Sequence, residues 1–305
     1  MAITKKAARE ALARTIGAWL PGAASSNGNA GGTTVVDSAF IGGAEMDNAY
    51  RGYYLLLTSG TLSASGVTPV FRRVTSFAAA TGTFTVTGAF AGQVASGVTF
   101  ELHSISPELF TEALNKPRAV AWQYLFKPLY DSSITLTQGD YEYTMPTGIL
   151  PEMISRVMME GGETGDTYDG IPDPRLLPKD IATYSADGAK IWLNRGKGAK
   201  SVDVITGRLL YLVGKNYLTA FAKDTTRGAL VTDTTAGAEL TENTPPWVLF
   251  MKYAAAELYL LVASGPMVQN RQEILALAKA WREDAEKNTP LMRMREADWD
   301  AGTGL

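Results

Sequence analysis

The spacing of apolar residues changes along this chain, and these changes constrain the fold more than any other feature. A hydroxyl residue followed by proline occurs at Ser106-Pro107 and again at Thr244-Pro245. This pair is typical of a helix start, because the hydroxyl can cap free N–H groups and proline is preset for the first turn. Helical spacing follows both pairs, whereas alternation of period two fills the segments before them. The sequence predicts an α+β fold in which helical segments at about 106–126 and 245–288 bracket β-rich modules.

The segment 33–104 is predicted to form a small β module. Phe84 and Val86 alternate with threonines, and Phe100 and Leu102 alternate with polar residues, which is the pattern of half-buried strands. Further strands are predicted at 34–37, 53–58 and 71–77. Short strands separated by turns rich in Gly, Ser and Thr favour a small antiparallel barrel or sandwich.

The chain before this module is predicted to be a helix followed by a linker. Ala8, Leu12 and Ile16 recur at four-residue spacing, so residues 1–21 are expected to form an amphipathic helix that ends at Pro21. Residues 22–32 have the small, glycine-rich composition of a flexible linker, so the helix is expected to be tethered and not packed in sequence order. The basic positions of the helix are Lys5, Lys6, Arg9 and Arg14. The sequence leaves open whether they form a solvated face or contact an acidic partner or DNA.

Between the modules, residues 105–130 are predicted to form a kinked helical segment. It starts at Ser106, and Pro117 removes a backbone hydrogen bond inside it, so the segment should bend or split there. Its second half, which includes Trp122, is strongly apolar and is expected to lie in a packed interface.

A second β-rich module is predicted over residues 131–243. Ile134 and Leu136 alternate with threonines, a turn is predicted at 138–140, and Tyr143 lies in the next alternating run. This pattern predicts a β-hairpin. Further strands are predicted at 153–159, 190–193, 201–205 and 208–213. Together they favour a second antiparallel sandwich.

The longest helical segment is predicted over residues 244–289, with Trp247 and Trp281 among its apolar positions. Ser264-Gly265-Pro266 should divide it into two rods, and Pro290 should end the second. Residues 290–305 show no period and are expected to form an extended tail. Rods of this kind suit an oligomer wall, and tryptophans 122, 247 and 281 are expected either in helix packing or at a subunit interface.

Composition excludes several classes of function. The chain has no cysteine and one histidine, His103, which removes disulfides, thiol nucleophiles and nearly every zinc site. A formal net charge of −3 gives no basic excess for clamping DNA. The most apolar stretch is interrupted by Lys252 and Glu257, so a soluble protein without a membrane span or a cofactor is expected.

Few motifs carry chemistry. Lys197, Lys200 and Ser201 lack the spacing of a phosphate-binding loop and indicate a hairpin tip. Asp166, Asp169 and Asp173 lie in one loop, where a solvated acidic loop, a cation site and a catalytic pair remain alternatives. His103 is expected at the surface. Arg72 and Arg73 are expected to pair with Asp37 or Glu101, or to face a neighbouring subunit.

Several runs resemble proteins of the head-to-tail joint of tailed bacteriophages. They are VVDSAF, YRGYYLLLTSG, FRRVTSF, GTFTVTGAF and SGVTFELHSISPELFTEALN, which together span about 33–116. The later order, a β region opening with YEYTMP and a long helix beginning near PPW, is similar to adaptor, or connector, subunits of the neck. An uninterrupted helix is the expectation from such proteins, and Pro117 departs from it.

The resemblance implies a non-enzymatic structural protein of the virion. Such adaptors form a homo-oligomeric ring, commonly about twelvefold, which binds the portal protein on one side and the tail tube or other neck proteins on the other. Genomic double-stranded DNA passes through the ring during ejection without sequence-specific binding, and before assembly the subunits lie in the host cytoplasm. The tail would be the portal-binding arm. Its candidate contacts are Met292, Arg293, Met294, Arg295 and Trp299.

Two other classes of function compete with this reading. A tail or surface module could use its aromatic residues to bind a host glycan or receptor, because flat rings stack on sugars. A wall-degrading hydrolase could use the acidic loop for acid and base catalysis.

Overall fold

The computed structural model describes residues 3–41, 46–60, 62, 70–160, 174–176, 182–184, 190–193, 206–223, 236–265 and 270–302. They form a mixed α+β fold in which every strand pairing is antiparallel. The chain divides into two units, Met1–Leu125 with Leu218–Leu305 as unit 1, and Phe126–Tyr217 as unit 2. Each unit is described separately below.

The regular elements follow in chain order. The helices are α1 (Lys5–Thr15), α2 (Pro107–Asn115), α3 (Pro117–Val120), α4 (Pro245–Ser264) and α5 (Arg271–Gly302). The strands of unit 1 are β1 (Trp19–Ala23), β2 (Thr34–Val36), β3 (Tyr54–Ser59), β4 (Val70–Ala78), β5 (Thr83–Val86) and β6 (Thr99–His103). Those of unit 2 are β7 (Phe126–Thr135), β8 (Glu142–Thr144), β9 (Ile154–Glu160), β10 (Pro174–Leu176), β11 (Ala182–Tyr184), β12 (Lys190–Leu193) and β13 (Leu209–Tyr217).

The strands of unit 1 form one curled sheet in the order β1-β6-β3-β4-β5-β2. The chain just after edge strand β1 reaches the opposite edge, where the Ser25 N–H donates to the Val36 carbonyl at 2.9 Å. The Asp37 carboxylate also accepts a hydrogen bond from the Ala23 N–H at 3.0 Å. The two edges of the sheet are thus joined, and its concave side encloses a cluster of aromatic rings that includes Phe84 and Phe100, which lie 5.8 Å apart.

Period-two alternation holds in β5 and fails in β6. Phe84 and Val86 are buried while Thr83 and Thr85 are half-buried, as the sequence predicts. In β6 all four residues from Phe100 to His103 are buried. The outer face of β6 is therefore covered, so the prediction that His103 lies at the surface is wrong.

The N-terminal segment differs from its prediction. Helix α1 ends at Thr15, because Gly17 adopts a left-handed φ of 71° that glycine accepts without strain. Residues Trp19–Ala23 then pair with β6, in the register Trp19↔His103 to Ala23↔Thr99. The predicted linker is held by backbone hydrogen bonds, among them Ala24 N–H to Val98 O at 2.8 Å. Its small residues permit close approach to the sheet and do not make a flexible tether here.

The central helical segment divides where proline predicts. Helix α2 ends at Asn115 and α3 starts at Pro117, because proline cannot continue the hydrogen-bond ladder. The segment does not stay helical to residue 130 as expected, since Phe126 begins a long strand, β7.

Helix α4 forms the centre of the helical core of unit 1. It begins at Pro245 and ends at Ser264, where the sequence predicts the break. Its buried residues pack with apolar residues of α1 and α2, including Leu12 and Phe110, in one cluster. Among the described residues α4 is the one helix long and apolar enough to cross a membrane, and 56% of its apolar window is buried inside the protein. Burial in this core accounts for that apolar composition.

Helix α5 runs past the predicted stop at Pro290 and continues to Gly302, so the extended conformation expected for residues 290–302 is wrong. Proline lacks the N–H that would bond to the Glu286 carbonyl. The Thr289 hydroxyl donates to this carbonyl instead, at 2.8 Å. A local side chain thereby satisfies the acceptor that would otherwise be left unpaired.

Unit 2 contains two antiparallel sheets, in the orders β10-β9-β13-β7 and β11-β12-β8. One buried cluster draws on both sheets, with Ile134 and Leu212 from the first and Tyr143 and Ile191 from the second. The predicted hairpin is wrong in its pairing, because Ile134 pairs with Leu210 whereas Tyr143 pairs with Ile191. The turn does form, and the chain crosses at this point from one sheet to the other so that both arms bury their apolar side chains.

We predict that Gly22→Ala destabilises the curled sheet by about 1–3 kcal/mol, in the range measured for overpacked cores. A Cβ on Gly22 would lie 2.6 Å from Phe100 Cε2 and 2.9 Å from Asp37 Oδ2. Denaturant unfolding measures the change. Gly31→Ala is the matched control, because the nearest atom to its Cβ is 3.9 Å away, and an equal loss in both variants would contradict the prediction.

Candidate functional site

A buried charge network connects α1 to the outer face of β6. Arg9 Nη2 donates to both oxygens of Glu101, at 3.2 and 3.3 Å. His103 Nε2 lies 2.8 Å from Glu101 Oε2 and donates to it. Glu101 and His103 are two residues apart on one strand and so share a face. Arg9, Glu101 and His103 are 1%, 3% and 0% exposed, and we name these three residues the Arg9–Glu101–His103 network.

Two cations of α1 point into the protein. Lys5 and Arg9 are one helical turn apart and both are 1% exposed. The Lys5 ammonium donates to the Ala222 carbonyl at 3.3 Å. On the outer side, Lys6 and Arg14 are partly exposed and lie 3.9 and 3.5 Å from Glu10. The basic residues of α1 therefore divide between the core and a solvated face, which the sequence could not decide.

The electrostatics of the network favour an ionised Glu101. Burial raises the pKa of its carboxyl, but the hydrogen bond from His103 and the charge of Arg9 outweigh that effect and lower the pKa from 4.5 to about 2. Burial, followed by the negative charge of Glu101, raises the pKa of neighbouring Glu10. Glu101 is thus the fixed anion of this site.

The network cannot carry out catalysis on an external molecule. Its three side chains are cut off from solvent, and the His103 ring packs 5.4 Å from the Phe110 ring of α2. His103 Nδ1 is buried without a hydrogen-bond partner in the described part of the chain. A substrate would have to displace α1 to reach it. The network acts instead as a clamp between α1, the sheet and α2.

A second feature of unit 1 is an open groove between the end of α3 with the segment that follows it and the helix pair α4–α5. Its volume is about 500 Å³. It is lined by Ala119, Val120, Trp122, Gln123, Tyr124, Tyr253, Arg282, Glu286 and Thr289. Arg282 and Glu286 are one turn apart on α5, 3.6 Å from each other. Burial, and then the charge of Glu286, raises the pKa of Tyr253.

The three tryptophans that the sequence places in helix packing or at a subunit interface have different environments. Trp122 lines the groove. Trp247 is buried in the core, where it stacks on Phe250 with ring centroids 6.0 Å apart. Trp281 is half-buried against the same core. The two helix tryptophans thus pack inside unit 1, and Trp122 is the one that reaches an open surface feature.

The other candidate residues separate into two groups. Arg72 donates to the carbonyls of Ala89 and Phe71, while Asp37 and Glu101 are engaged by other groups, so the predicted ion pairs with Arg72 or Arg73 do not form. The remaining candidates are outside the described part of the chain. They are Asp166, Asp169, Asp173, Lys197, Lys200, Ser201 and the side chains of Met292, Arg293, Met294, Arg295 and Trp299. Within the described ranges no group of three or more possible ligands could hold a metal ion.

One signal in the sequence could have revealed the buried network. Lys5 and Arg9 are spaced one turn apart and adjoin Ala8 and Leu12, which form the apolar stripe of α1. Cations beside such a stripe are often solvated. The spacing therefore predicts a buried cation only when a buried carboxylate that could pair with it is already known. Nothing in the period-two pattern around Glu101 indicates that its face is covered.

No protein-family model matches the chain, and comparisons with curated proteins and with solved structures find no similar protein.

We predict that Glu101→Gln lowers the free energy of unfolding by about 3 kcal/mol, because it leaves the buried Arg9 cation without its counter-charge while keeping side-chain volume. Chemical denaturation at neutral pH measures the effect. Glu283→Gln is the control, since Glu283 pairs with Lys279 at 3.7 Å on the surface of α5 and should change stability by less than about 0.5 kcal/mol. Similar small effects of both substitutions would disprove the clamp.

We also predict an acid-dependent loss of stability. Because the pKa of Glu101 is lowered from 4.5 to about 2, its contribution is fully present above about pH 4.5 and disappears as the pH falls through about 2. The full contribution is about 3 kcal/mol. Unfolding measured from pH 6 to pH 2 should show a steeper decline for the wild type than for Glu101→Gln, and parallel curves would contradict the assignment.

Proposed function

We propose that this chain is a structural protein of a tailed-phage virion, a subunit of the ring-shaped adaptor that joins the portal to the tail and forms part of the DNA conduit. The proposal includes the portal protein and the tail tube or other neck proteins as partners. It places the assembled protein at the head-to-tail junction and the free subunit in the host cytoplasm. It assigns no enzymatic activity and no cofactor.

The observation that carries this proposal is the exposure of α5. Of its residues from Arg271 to Thr289, Ala278 and Ala285 alone are fully buried. Leu275 and Leu277 are 42% and 46% exposed. From Arg271 to Thr289 the helix contributes little to the core and presents leucines to solvent, and a surface of this kind is suited to contacts with another chain.

The attachment of α5 to the rest of unit 1 also supports an assembly role. Lys252 of α4 pairs with Asp284 of α5 at 2.7 Å, and the buried Ala285 of α5 belongs to the same apolar cluster as α4. The helix pair is thereby fixed on one side, while most residues from Arg271 to Thr289 remain at least partly exposed. This is the arrangement that a wall of adjacent subunits requires.

Charge is consistent with a conduit that does not grip DNA. The chain has a net charge of −3, and two of its cations, Lys5 and Arg9, are buried. Affinity for the phosphate backbone depends on accessible lysine and arginine. Two carboxylates, Asp37 and Glu101, are buried as well, so among the described residues burial leaves the small negative net charge of the accessible surface unchanged.

The proposal predicts closed symmetric rings. Electron microscopy of the purified protein, alone and mixed with a portal protein from the same phage, should reveal them in at least one of the two samples. A single class of ring with rotational symmetry is the expected result. Protein that remains monomeric in both samples would remove the proposal.

A specific observation favours one alternative, a module that binds a host glycan or receptor. Tyr130 on β7 is 57% exposed, and its ring lies 5.6 Å from that of Tyr211. An exposed ring supported by a second ring is a suitable platform for a sugar. Binding of the purified protein to host cells or glycans, lost in Tyr130→Ala, together with the absence of rings, would favour this alternative.

A further inference from the structure

The groove of unit 1 has the residue types of a protein-binding hot spot. Trp122, Tyr124, Tyr253 and Arg282 line it, and Trp, Tyr and Arg are the residues that dominate the energetics of protein interfaces. Its volume of about 500 Å³ is within the range of pockets that enclose a compact ligand or a few side chains. Val120, at 44% exposed, forms part of its accessible rim.

The geometry of α5 limits which segment can occupy this groove. Arg282, Glu286 and Thr289 form one wall of the groove, and the same helix continues to Gly302. At 1.5 Å per residue, the part beyond Thr289 extends about 20 Å further. A continuous helix cannot turn back over its own preceding turns. The C-terminal arm is defined here as residues 290–305. Its helical part, residues 290–302, is therefore unable to enter the groove that the same helix helps to build.

The sequence of the C-terminal arm suits such a groove. Met292, Met294 and Trp299 are large apolar residues, and Arg293 and Arg295 lie between and beside them. The groove offers aromatic rings for the apolar groups, and the Glu286 carboxylate, which lies 3.6 Å from Arg282, can accept a further cation. The arm and the groove belong to the same chain, so every copy carries both surfaces. The arm of one copy can therefore bind the groove of the next.

We infer that the groove of one copy binds the C-terminal arm of a second copy. The contact is head-to-tail, because the arm and the groove are different surfaces, and repetition of such a contact closes a ring when the rotation permits it. The inference deepens the proposed function by naming the surfaces that join the subunits of the ring.

The test uses full-length variants and measures self-association by sedimentation or native mass spectrometry. Val120→Glu places a charge at the rim of the groove and should weaken association at least about tenfold, which corresponds to about 1.4 kcal/mol. Val248→Glu is the matched control, because Val248 is 45% exposed on α4 and does not line the groove. The double variant Met292→Asp/Trp299→Asp should disrupt association from the arm side.

Mixing supplies the decisive result. The groove variant retains its arm and the arm variant retains its groove, so each alone should be monomeric while an equimolar mixture forms a heterodimer that grows no further. Association of the arm variant at wild-type strength, the absence of a heterodimer, or a wild type that stays monomeric by itself would each overturn the inference. If portal protein still gathers such a chain into rings, the proposed function stands and only the choice of surfaces is wrong.

Discussion

The ionised carboxylate of Glu101 is the constraint on which the arrangement of unit 1 depends. It lies on a strand whose opposite face belongs to the aromatic core of the curled sheet, so its own face must be covered for the strand to be buried on both sides. A bare carboxylate under such a cover would be very unfavourable. Arg9 and His103 compensate for its charge, and their positions determine where α1 and α2 can pack.

The N-terminal segment follows from this constraint. Once α1 lies across β6 with Arg9 directed at Glu101, a sharp turn at Gly17 leads the chain into β1, which pairs with the same strand. A buried ion pair adds little net stability compared with an apolar contact of the same size. It does penalise any register of α1 that leaves Arg9 unpaired. The main effect of the network is therefore to determine the position of α1, and its net contribution to stability is secondary.

Two helices of unit 1 have different environments, since α4 is buried in the core and much of the described part of α5 is exposed. Apolar residues of α4 meet α1, α2 and α5, which explains both its composition and its burial. Helix α5 contributes Ala285 and Trp281 to the apolar cluster that contains α4, and it leaves Leu275 and Leu277 exposed. The groove with Trp122 lies beside this pair. The proposed assembly role rests on this division, in which one helix completes the core and the next remains available to a partner.

Local signals alone determined several parts of this protein. Proline after a hydroxyl residue set the starts of α2 and α4, Pro117 separated α2 from α3, and alternation placed Phe84 and Val86 inside the sheet, because each effect acts within a few residues. Tertiary structure decided the rest. It buried Lys5, Arg9 and His103, sent the arms of the predicted hairpin into different sheets, and formed the groove from segments distant in sequence. Such outcomes depend on which surface covers which, and a residue's own neighbours in the chain do not contain that information.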